Sequence, residues 1–129
     1  MANELTINCS MEYDDALGES MSLQVSDLVK SVTTKSPVKL IQSVGTAEEA
    51  IDLGDTGTPV YAMFKNLDPT NYIELKVATS GAIFARLDPD TDQDGKGGVA
   101  LLRLGSGATA PYAIANTSAC RMAIMLLPS

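Results

Sequence analysis

Short apolar runs separated by turn-forming residues recur along the whole chain, and this spacing constrains the fold more than any other feature. The segment Val60–Val77 is the clearest case, because two strand-like runs flank a dense turn at Asn66–Asn71. Asn and Asp side chains hydrogen-bond the local backbone in turns, and proline presets the φ angle there. The turn signals recur about every 8–12 residues, with almost no helical periodicity, which predicts an all-β protein.

Individual strands can be placed from the alternation of apolar and polar residues, which is typical of a strand with one buried face. Glu4–Tyr13 alternates almost perfectly, and Met21–Ser26 repeats the pattern. Asp27–Lys35 fits either a short strand or a helical turn. Thr46–Leu53 has the best helical composition, but a strand through Glu49–Leu53 fits equally well. The other predicted strands are Val38–Val44, Val60–Leu67, Tyr72–Ala78, Ala82–Leu87, Val99–Leu104, Tyr112–Ala115 and Cys120–Leu127.

Together these strands predict an all-β fold of one domain. Roughly eight to ten short strands with turn-rich connections indicate a two-sheet antiparallel sandwich, jelly-roll-like in its organisation. A chain of 129 residues is long enough for a core of its own, and no linker interrupts it. We therefore expect a single β-sandwich domain over 1–129, in which residues 1–13 form an N-terminal arm or an edge strand.

Three of the predicted strands are apolar on both faces, which a two-layer sandwich with one core does not need. These strands are Val60–Phe64, Val99–Leu104 and Cys120–Leu127. Their second face needs a cover, which is either a loop or the N-terminal arm of the same chain, or another subunit. We favour a homo-oligomer. The predicted interface residues are Leu5, Ile7 and Met11 in the N-terminal strand and Met122, Ile124 and Met125 in the last strand.

Composition excludes several classes of function. The chain has 16 acidic and 9 basic residues, and a net charge of −7 repels phosphate, so we expect no nucleic-acid partner. Histidine is absent, which removes the commonest general base and transition-metal ligand. We therefore predict that the protein is not an enzyme. The N-terminus does not have the pattern of a signal peptide, and no apolar run approaches the ~20 residues of a membrane span, so we expect no membrane partner.

The two cysteines leave two alternatives open. Cys9 and Cys120 lie in the first and last apolar runs, where a disulfide would close nearly the whole chain. The other possibility is two buried free thiols that act as small core residues. We favour free thiols, because nothing in the sequence points to secretion.

The acidic loop Asp88–Gly98 is the only segment with the character of a metal site. Asp90, Asp92 and Asp94 alternate in the way that lets carboxylates converge on Ca²⁺. Leu101 occupies the position where an EF-hand has its bidentate Glu, so the loop is not an EF-hand. A looser calcium loop and a solvated acidic turn both fit, and no other cofactor is predicted.

Two stretches resemble a known class of proteins. Gln42–Leu53, with the sequence QSVGTAEEAIDL, and Val60–Leu75, with its FKNLDPTNYIEL core, are similar to segments of small β-sandwich virion proteins encoded by tailed bacteriophages. The start MANELT, the leucine-rich strand Val99–Leu104 and the segment Ala113–Thr117 fit the same pattern. The loop Asp88–Gly98 is longer than the turn that such proteins usually have.

The resemblance implies a non-enzymatic virion structural protein, and a capsid decoration or cement protein is the role that we favour. Such a protein would be assembled in the bacterial host cytoplasm and located in the virion. It would bind the major capsid protein as a symmetric homo-oligomer, with a trimer as the expected form. The alternatives are a tail, baseplate or fibre-associated virion subunit, or a calcium-dependent β-sandwich binding module that uses Asp90, Asp92 and Asp94.

Overall fold

A computed structural model of the chain describes residues 4–31, 38–54, 60–105 and 110–127. In these residues the protein is all-β, with antiparallel strand pairs and no α-helix. The chain divides into two compact units, Met1–Thr33 and Thr34–Ser129. The prediction of one domain did not include this division, although it set residues 1–13 apart as an arm or edge strand.

The first unit contains a long β-hairpin. Strand β1 spans Glu4–Asp14 and pairs antiparallel with β2, Ser20–Ser31. In the turn between them, the Asp15 carboxylate accepts hydrogen bonds from the backbone N–H groups of Leu17 and Glu19. Gly18 has a φ of 86°, a left-handed conformation that glycine adopts without steric cost. The turn chemistry therefore sets the register of the two strands.

A β-bulge interrupts this hairpin and explains why the sequence around Asp27 was ambiguous. Ile7 pairs with Leu28 and Cys9 with Val25, so β2 carries an extra residue at this point. Asp27 has a φ of 52°, and its N–H donates to the Asn8 side-chain oxygen at 2.8 Å. The extra residue shifts the alternation by one position, and β2 continues as a strand to Ser31. The rest of the ambiguous segment, residues 32–35, lies outside the described residues.

We call the second unit the two-sheet body, and its described residues form eight strands in two four-stranded sheets. Sheet one has the order β3-β10-β5-β8, and sheet two has the order β4-β9-β6-β7. The strands are β3 (Val38–Val44), β4 (Glu49–Ala50), β5 (Tyr61–Asn66), β6 (Ile73–Lys76), β7 (Ile83–Leu87), β8 (Val99–Arg103), β9 (Tyr112–Ala115) and β10 (Cys120–Leu127).

Both sheets of the body contribute to one hydrophobic core. Phe64 and Met122 from sheet one and Ile73 and Leu75 from sheet two are completely buried in the same cluster. Strands β5, β6 and β10 place alternate residues in the buried interior, as the period-two pattern predicted. Such packing keeps apolar surface out of water, which is the main stabilising contribution in a fold of this kind.

Two predictions are corrected by the arrangement of the body. The helical alternative for Thr46–Leu53 is wrong, because the segment contains only the two-residue strand β4. Met122 and Ile124 are 0% and 2% exposed within their own chain, so they are core residues. Their assignment to an intermolecular interface is corrected, because the outward face of β10 is formed by the residues between them.

Candidate interaction surfaces

One face of the hairpin is a continuous apolar surface. The pairing register places alternate residues of β1 beside alternate residues of β2 on this face, which we call the hairpin apolar face. Met11 is 76% exposed and Leu23 is 74% exposed, although both are large apolar side chains. The face consists of Leu5, Ile7, Cys9, Met11 and Tyr13 from β1 and Met21, Leu23, Val25 and Leu28 from β2.

The predicted N-terminal interface residues all lie on this face. Leu5 and Ile7 are half-buried, and Met11 is exposed. Their interface role stays a prediction, and the structure adds the apolar residues of β2 to the same surface. The sequence had shown the alternation of Met21, Leu23 and Val25, but only the pairing of the two strands shows that both sets share one face.

The hairpin is strongly acidic. From Glu4 to Ser31 the sequence contains six acidic residues and one basic residue, Lys30. Three of them lie on the opposite, polar face, and the others lie in the turn or at the bulge. The hairpin therefore combines an exposed apolar face with a negative field. The six are Glu4, Glu12, Asp14, Asp15, Glu19 and Asp27.

A second apolar surface lies on the outward side of sheet one, and we call it the sheet-one patch. Met125 of β10 is paired with Lys39 of β3 and with Met63 of β5, and Met63 is paired with Leu101 of β8. Met63, Leu101 and Met125 are each 41% exposed. Ile41, Ala123 and Val99 extend the patch along the strands, and a groove of about 660 Å³ crosses β3, β10 and β5.

Basic side chains surround the apolar centre of this patch. Lys39, Lys65, Arg103 and Arg121 all occupy outward positions of sheet one, which makes four of the nine basic residues in the chain. No acidic residue occupies an outward position in the four strands of this sheet. Within the described residues no ion pair involves these four bases, although the chain has a net charge of −7.

Sheet two differs from sheet one, because the basic residues of its strands, Lys76 and Arg86, form ion pairs within the chain. Lys76 forms a salt bridge with Glu48, and Glu48 also accepts a hydrogen bond from the backbone N–H of Ser80. These contacts, with Lys76 the largest contributor, lower the pKa of Glu48. Arg86 pairs with Asp88 at 3.0 Å and stacks on the ring of Tyr72, 3.7 Å from its centroid. Unlike the four bases of the sheet-one patch, Lys76 and Arg86 therefore already have acidic partners in the same chain.

The predicted turn at Asn66–Asn71 is a network centred on a buried amide. Asn66 is 0% exposed, and its side-chain NH₂ donates to the carbonyls of Asn71, Leu87 and Asp88 at 2.8–3.2 Å. Its side-chain oxygen accepts from the Asp68 N–H at 2.9 Å. One side chain thus links the end of β5 to the loop before β6 and to the end of β7.

Asp68 organises the second half of the same turn. Its carboxylate accepts hydrogen bonds from the backbone N–H groups of Thr70 and Asn71, at 2.8 and 2.6 Å, and from both of their side chains. Partial burial raises the pKa of Asp68, but these hydrogen bonds outweigh it and the net pKa is lowered. The network is structural, since every contact holds the turn itself.

The acidic loop uses its first predicted calcium ligand to hold its own backbone. The carboxylate of Asp90, a residue only 6% exposed, accepts from the N–H groups of Asp94 and Gly95. Asp94 accepts from the N–H of Lys96, and Asp92 is exposed. No group of three acidic or sulfur ligands suited to a metal is found in the parts of the chain that the structure describes. The calcium site stays a prediction.

The two cysteines occupy different environments, and both are free thiols. Cys120 is buried in the core of the body, where desolvation and then the nearby Asp68 carboxylate raise its pKa to about 11. Cys9 is exposed on the hairpin apolar face, so its predicted burial is wrong. The difference arises because the hairpin does not share the core that β10 helps to form.

Sequence reasoning missed the basic rim and most of the sheet-one patch. It identified Val60–Phe64, Val99–Leu104 and Cys120–Leu127 as apolar on both faces, and the exposed patch lies on these strands. It did not decide which of the two apolar faces is inward. The positions of the basic residues would have identified the outward face. Lys65, Arg103 and Arg121 alternate in phase with the exposed apolar residues of their strands.

Comparisons with family models, with curated proteins and with solved structures find no match to this chain. Within the described residues, no helix has the length and apolar content needed to cross a membrane.

Proposed function

We propose that the protein is a non-enzymatic structural protein of a bacteriophage virion, and specifically a capsid decoration or cement protein. The observation that carries this proposal is the hairpin, which has nine apolar positions on one face, seven of them exposed, and has no strand partner beyond its own two strands among the described residues. An isolated two-stranded hairpin is marginally stable in water, and an exposed apolar surface of this kind usually marks a contact site. An assembly protein supplies the missing contact.

The topology of the body supports the same proposal. Following the chain from β3 to β10, the strands alternate between sheet one and sheet two, except for the β6–β7 pair, which stays in sheet two. We propose that these eight strands form a two-sheet sandwich with the strand order of a jelly roll. Jelly rolls are common in viral capsid proteins and also in lectins. The resemblance of Gln42–Leu53 and Val60–Leu75 to phage virion proteins favours the virion role.

In this role the protein acts by burial and not by chemistry. It assembles as a symmetric homo-oligomer, with a trimer as the expected form, at junctions between major capsid proteins. A closed symmetric trimer buries the same two surfaces on every copy, because each contact in the ring joins one surface of a chain to a different surface of the next. Each Å² of apolar surface removed from water contributes about 25 cal/mol before the costs of association.

Quantitative mass spectrometry and immuno-electron microscopy of purified particles of the encoding phage test this proposal. We expect a fixed number of copies per capsid, label over the shell, and loss of heat or pressure resistance in particles that lack the protein. Label confined to the tail would contradict the decoration role while keeping the virion role. Absence from purified particles would contradict both.

A further inference from the structure

The strongest unexplained feature is a pair of exposed surfaces whose charges have opposite sign. The hairpin apolar face belongs to a segment, Glu4 to Ser31, with six acidic residues and one basic residue. The sheet-one patch has an apolar centre with four basic residues around it and no acidic residue at its outward positions. Apolar surface on both sides would drive their association, and opposite fields would orient it.

We infer that the hairpin of one copy of the protein docks with its apolar face on the sheet-one patch of a second copy. The inference deepens the homo-oligomer part of the proposed function and rests on it, but it does not depend on the capsid. It names the partner of each surface as another copy of the same chain.

The dimensions of the two surfaces agree with this contact. Strands lie about 4.8 Å apart in any sheet, so a two-stranded ribbon is about half as wide as a four-stranded sheet. The ribbon can therefore cover the centre of the patch, where Met63 and Met125 lie side by side. Lys39 and Arg103, on the two edge strands of the sheet, then flank the ribbon.

Charge argues against the other way in which two copies could bury the hairpin. If the apolar faces of two hairpins stacked on each other, two segments with a net charge of −5 would be brought together, and like charges oppose such contact. The sheet-one patch instead supplies four positive charges that have no acidic partner among the described residues. Sheet two is a weaker candidate, because Lys76 and Arg86 are already paired there.

Cys9 provides a probe for the contact, because it is an exposed thiol near the middle of the hairpin apolar face. In the full-length Met125→Cys variant, a short thiol-to-thiol cross-linker should join Cys9 of one chain to the new cysteine of another. The expected products are bands of two and, in a closed trimer, three times the monomer mass, and peptide mapping should assign the links to positions 9 and 125. Met63→Cys is a second variant, which keeps the test valid if Met125→Cys folds poorly.

The matched control moves the thiol by one residue to the polar face of the hairpin. Cys9→Ser combined with Ser10→Cys, in the same Met125→Cys background, should give little cross-linked product, because Ser10 faces the opposite side of the ribbon. Cys120 is buried in every variant and does not contribute. Equal yields from the two hairpin positions would overturn the inference.

Other outcomes of the same experiment are equally decisive. Cross-links within one chain, links between two Cys9 residues in the unmodified protein, or a monomeric mass at high protein concentration would each overturn the inference. All these measurements use the purified protein alone. Its absence from phage particles would therefore overturn the virion role without affecting this result, and failed cross-linking would leave the virion role intact.

A charge exchange tests the electrostatic part of the inference. Lys39→Glu should weaken self-association by about fivefold, the effect of one exposed charge pair. Added salt should also weaken the self-association of the unmodified protein. Glu12→Lys, which makes the hairpin less acidic, should recover part of the loss when it is combined with Lys39→Glu. Sedimentation equilibrium measures the association constants. Unchanged association in Lys39→Glu, together with no salt dependence, would contradict the contact.

Discussion

At the scale of single residues, the protein relies on polar side chains that hold loops together rather than on reactive groups. The side chains of Asn66 and Asp68 form hydrogen bonds with the backbone around the turn after β5. The side chain of Asp90 does the same in the acidic loop. Each of these side chains satisfies backbone N–H or C=O groups that a loop would otherwise leave unpaired. Two of the three predicted calcium ligands, Asp90 and Asp94, therefore hold the backbone of their own loop.

Replacing Asn66 should be strongly destabilising. Asn66→Ala removes a side chain that donates to three carbonyls and accepts from Asp68, and it leaves those groups without this partner in a site with no exposure. We expect a loss of about 2–4 kcal/mol in the free energy of unfolding, measured by urea denaturation. Asn116→Ala, at an exposed asparagine, is the control and should cost less than about 1 kcal/mol. Similar losses in both variants would contradict this account.

The lowered pKa of Asp68 predicts a stability effect that depends on pH. A carboxyl group with a pKa below its usual value of 3.8 stabilises the folded state above that value. The contribution is lost as the pH falls through the lowered folded pKa. The gap in unfolding free energy between the wild type and Asp68→Asn should therefore be largest near neutral pH and shrink below about pH 4.

Urea denaturation at a series of pH values measures this gap. Asn116→Ala again serves as the control, because it removes no titrating group and its effect should not change with pH. A gap between the wild type and Asp68→Asn that stays constant into strong acid would show that the hydrogen bonds do not depend on the charge of Asp68.

The two thiols should differ sharply in reactivity. Cys120 is buried and its pKa is raised to about 11, so the nucleophilic thiolate is scarce in the folded protein. Cys9 is exposed. We expect one thiol to react quickly with a thiol reagent under native conditions and the second only after denaturation. Cys9→Ser should remove the fast phase, and two fast thiols in the native protein would contradict this prediction.

At the scale of elements, close backbone packing fixes the junction between β7 and β8. A Cβ atom at Gly98 would lie 2.2 Å from the backbone N of Asp88 and 2.7 Å from the carbonyl carbon of Leu87. Gly98 also makes two backbone hydrogen bonds with different residues. Its N–H donates to the Asp88 carbonyl, and its own carbonyl accepts from the Asn66 N–H. The loop can return to β8 only because this position has no side chain.

Gly98→Ala should therefore destabilise the protein by about 1–3 kcal/mol, because backbone atoms must shift to make room. Gly105→Ala is the matched control, since a Cβ atom there would meet none of the described residues within 4 Å, and its effect should be close to zero. Thermal unfolding of the two variants measures the difference. If both have the same midpoint, the close approach at Gly98 carries no cost.

Most strands could be predicted from the sequence because alternation and turn residues are local signals. Tyr112–Ala115 and Cys120–Leu127 have the predicted limits, and β1 extends only one residue beyond its prediction. The end of β2 could not be predicted, because the bulge at Asp27 depends on a hydrogen bond to Asn8 in another strand. The helical alternative at Thr46–Leu53 was wrong for a similar reason. Glu49 accepts hydrogen bonds from the side chain of Gln42, which lies in β3, and from the N–H of Gly45, which directly follows β3.

The candidate surfaces were harder to predict than the strands. A strand with apolar residues on both faces does not show which face is inward, and that choice is made by the pairing of β10 with β3 and β5. Met122 and Ile124 were assigned to the wrong face for this reason, while Met125 lies on the exposed one. The apolar residues of β1 and β2 share one face of the hairpin only in the observed register. The turn and the bulge determine this register.

At the scale of the whole molecule, the two units differ in how much of their apolar surface is buried. The two-sheet body has a core to which both sheets contribute, whereas the hairpin exposes Met11, Leu23 and most of its other apolar residues. We expect the body to carry most of the stability of such a chain, and under the proposed self-association the hairpin would gain its stability from a second copy. A variant that lacks residues 1–33 should therefore still unfold in one cooperative transition, with a midpoint close to that of the dilute full-length protein.

Protein concentration separates the contributions of the two units. Because only the associated state protects the hairpin apolar face, the thermal midpoint of the full-length chain should rise with its concentration, while that of the variant lacking residues 1–33 should not. Met11→Thr with Leu23→Thr in the full-length chain is the matched control. It keeps the strands but makes the hairpin face polar, so it should behave like the truncated chain. Scanning calorimetry over a wide concentration range measures all three proteins. A concentration-dependent midpoint in the truncated chain would show that the body associates without the hairpin, and a truncated chain without a cooperative transition would show that the body needs the hairpin to fold.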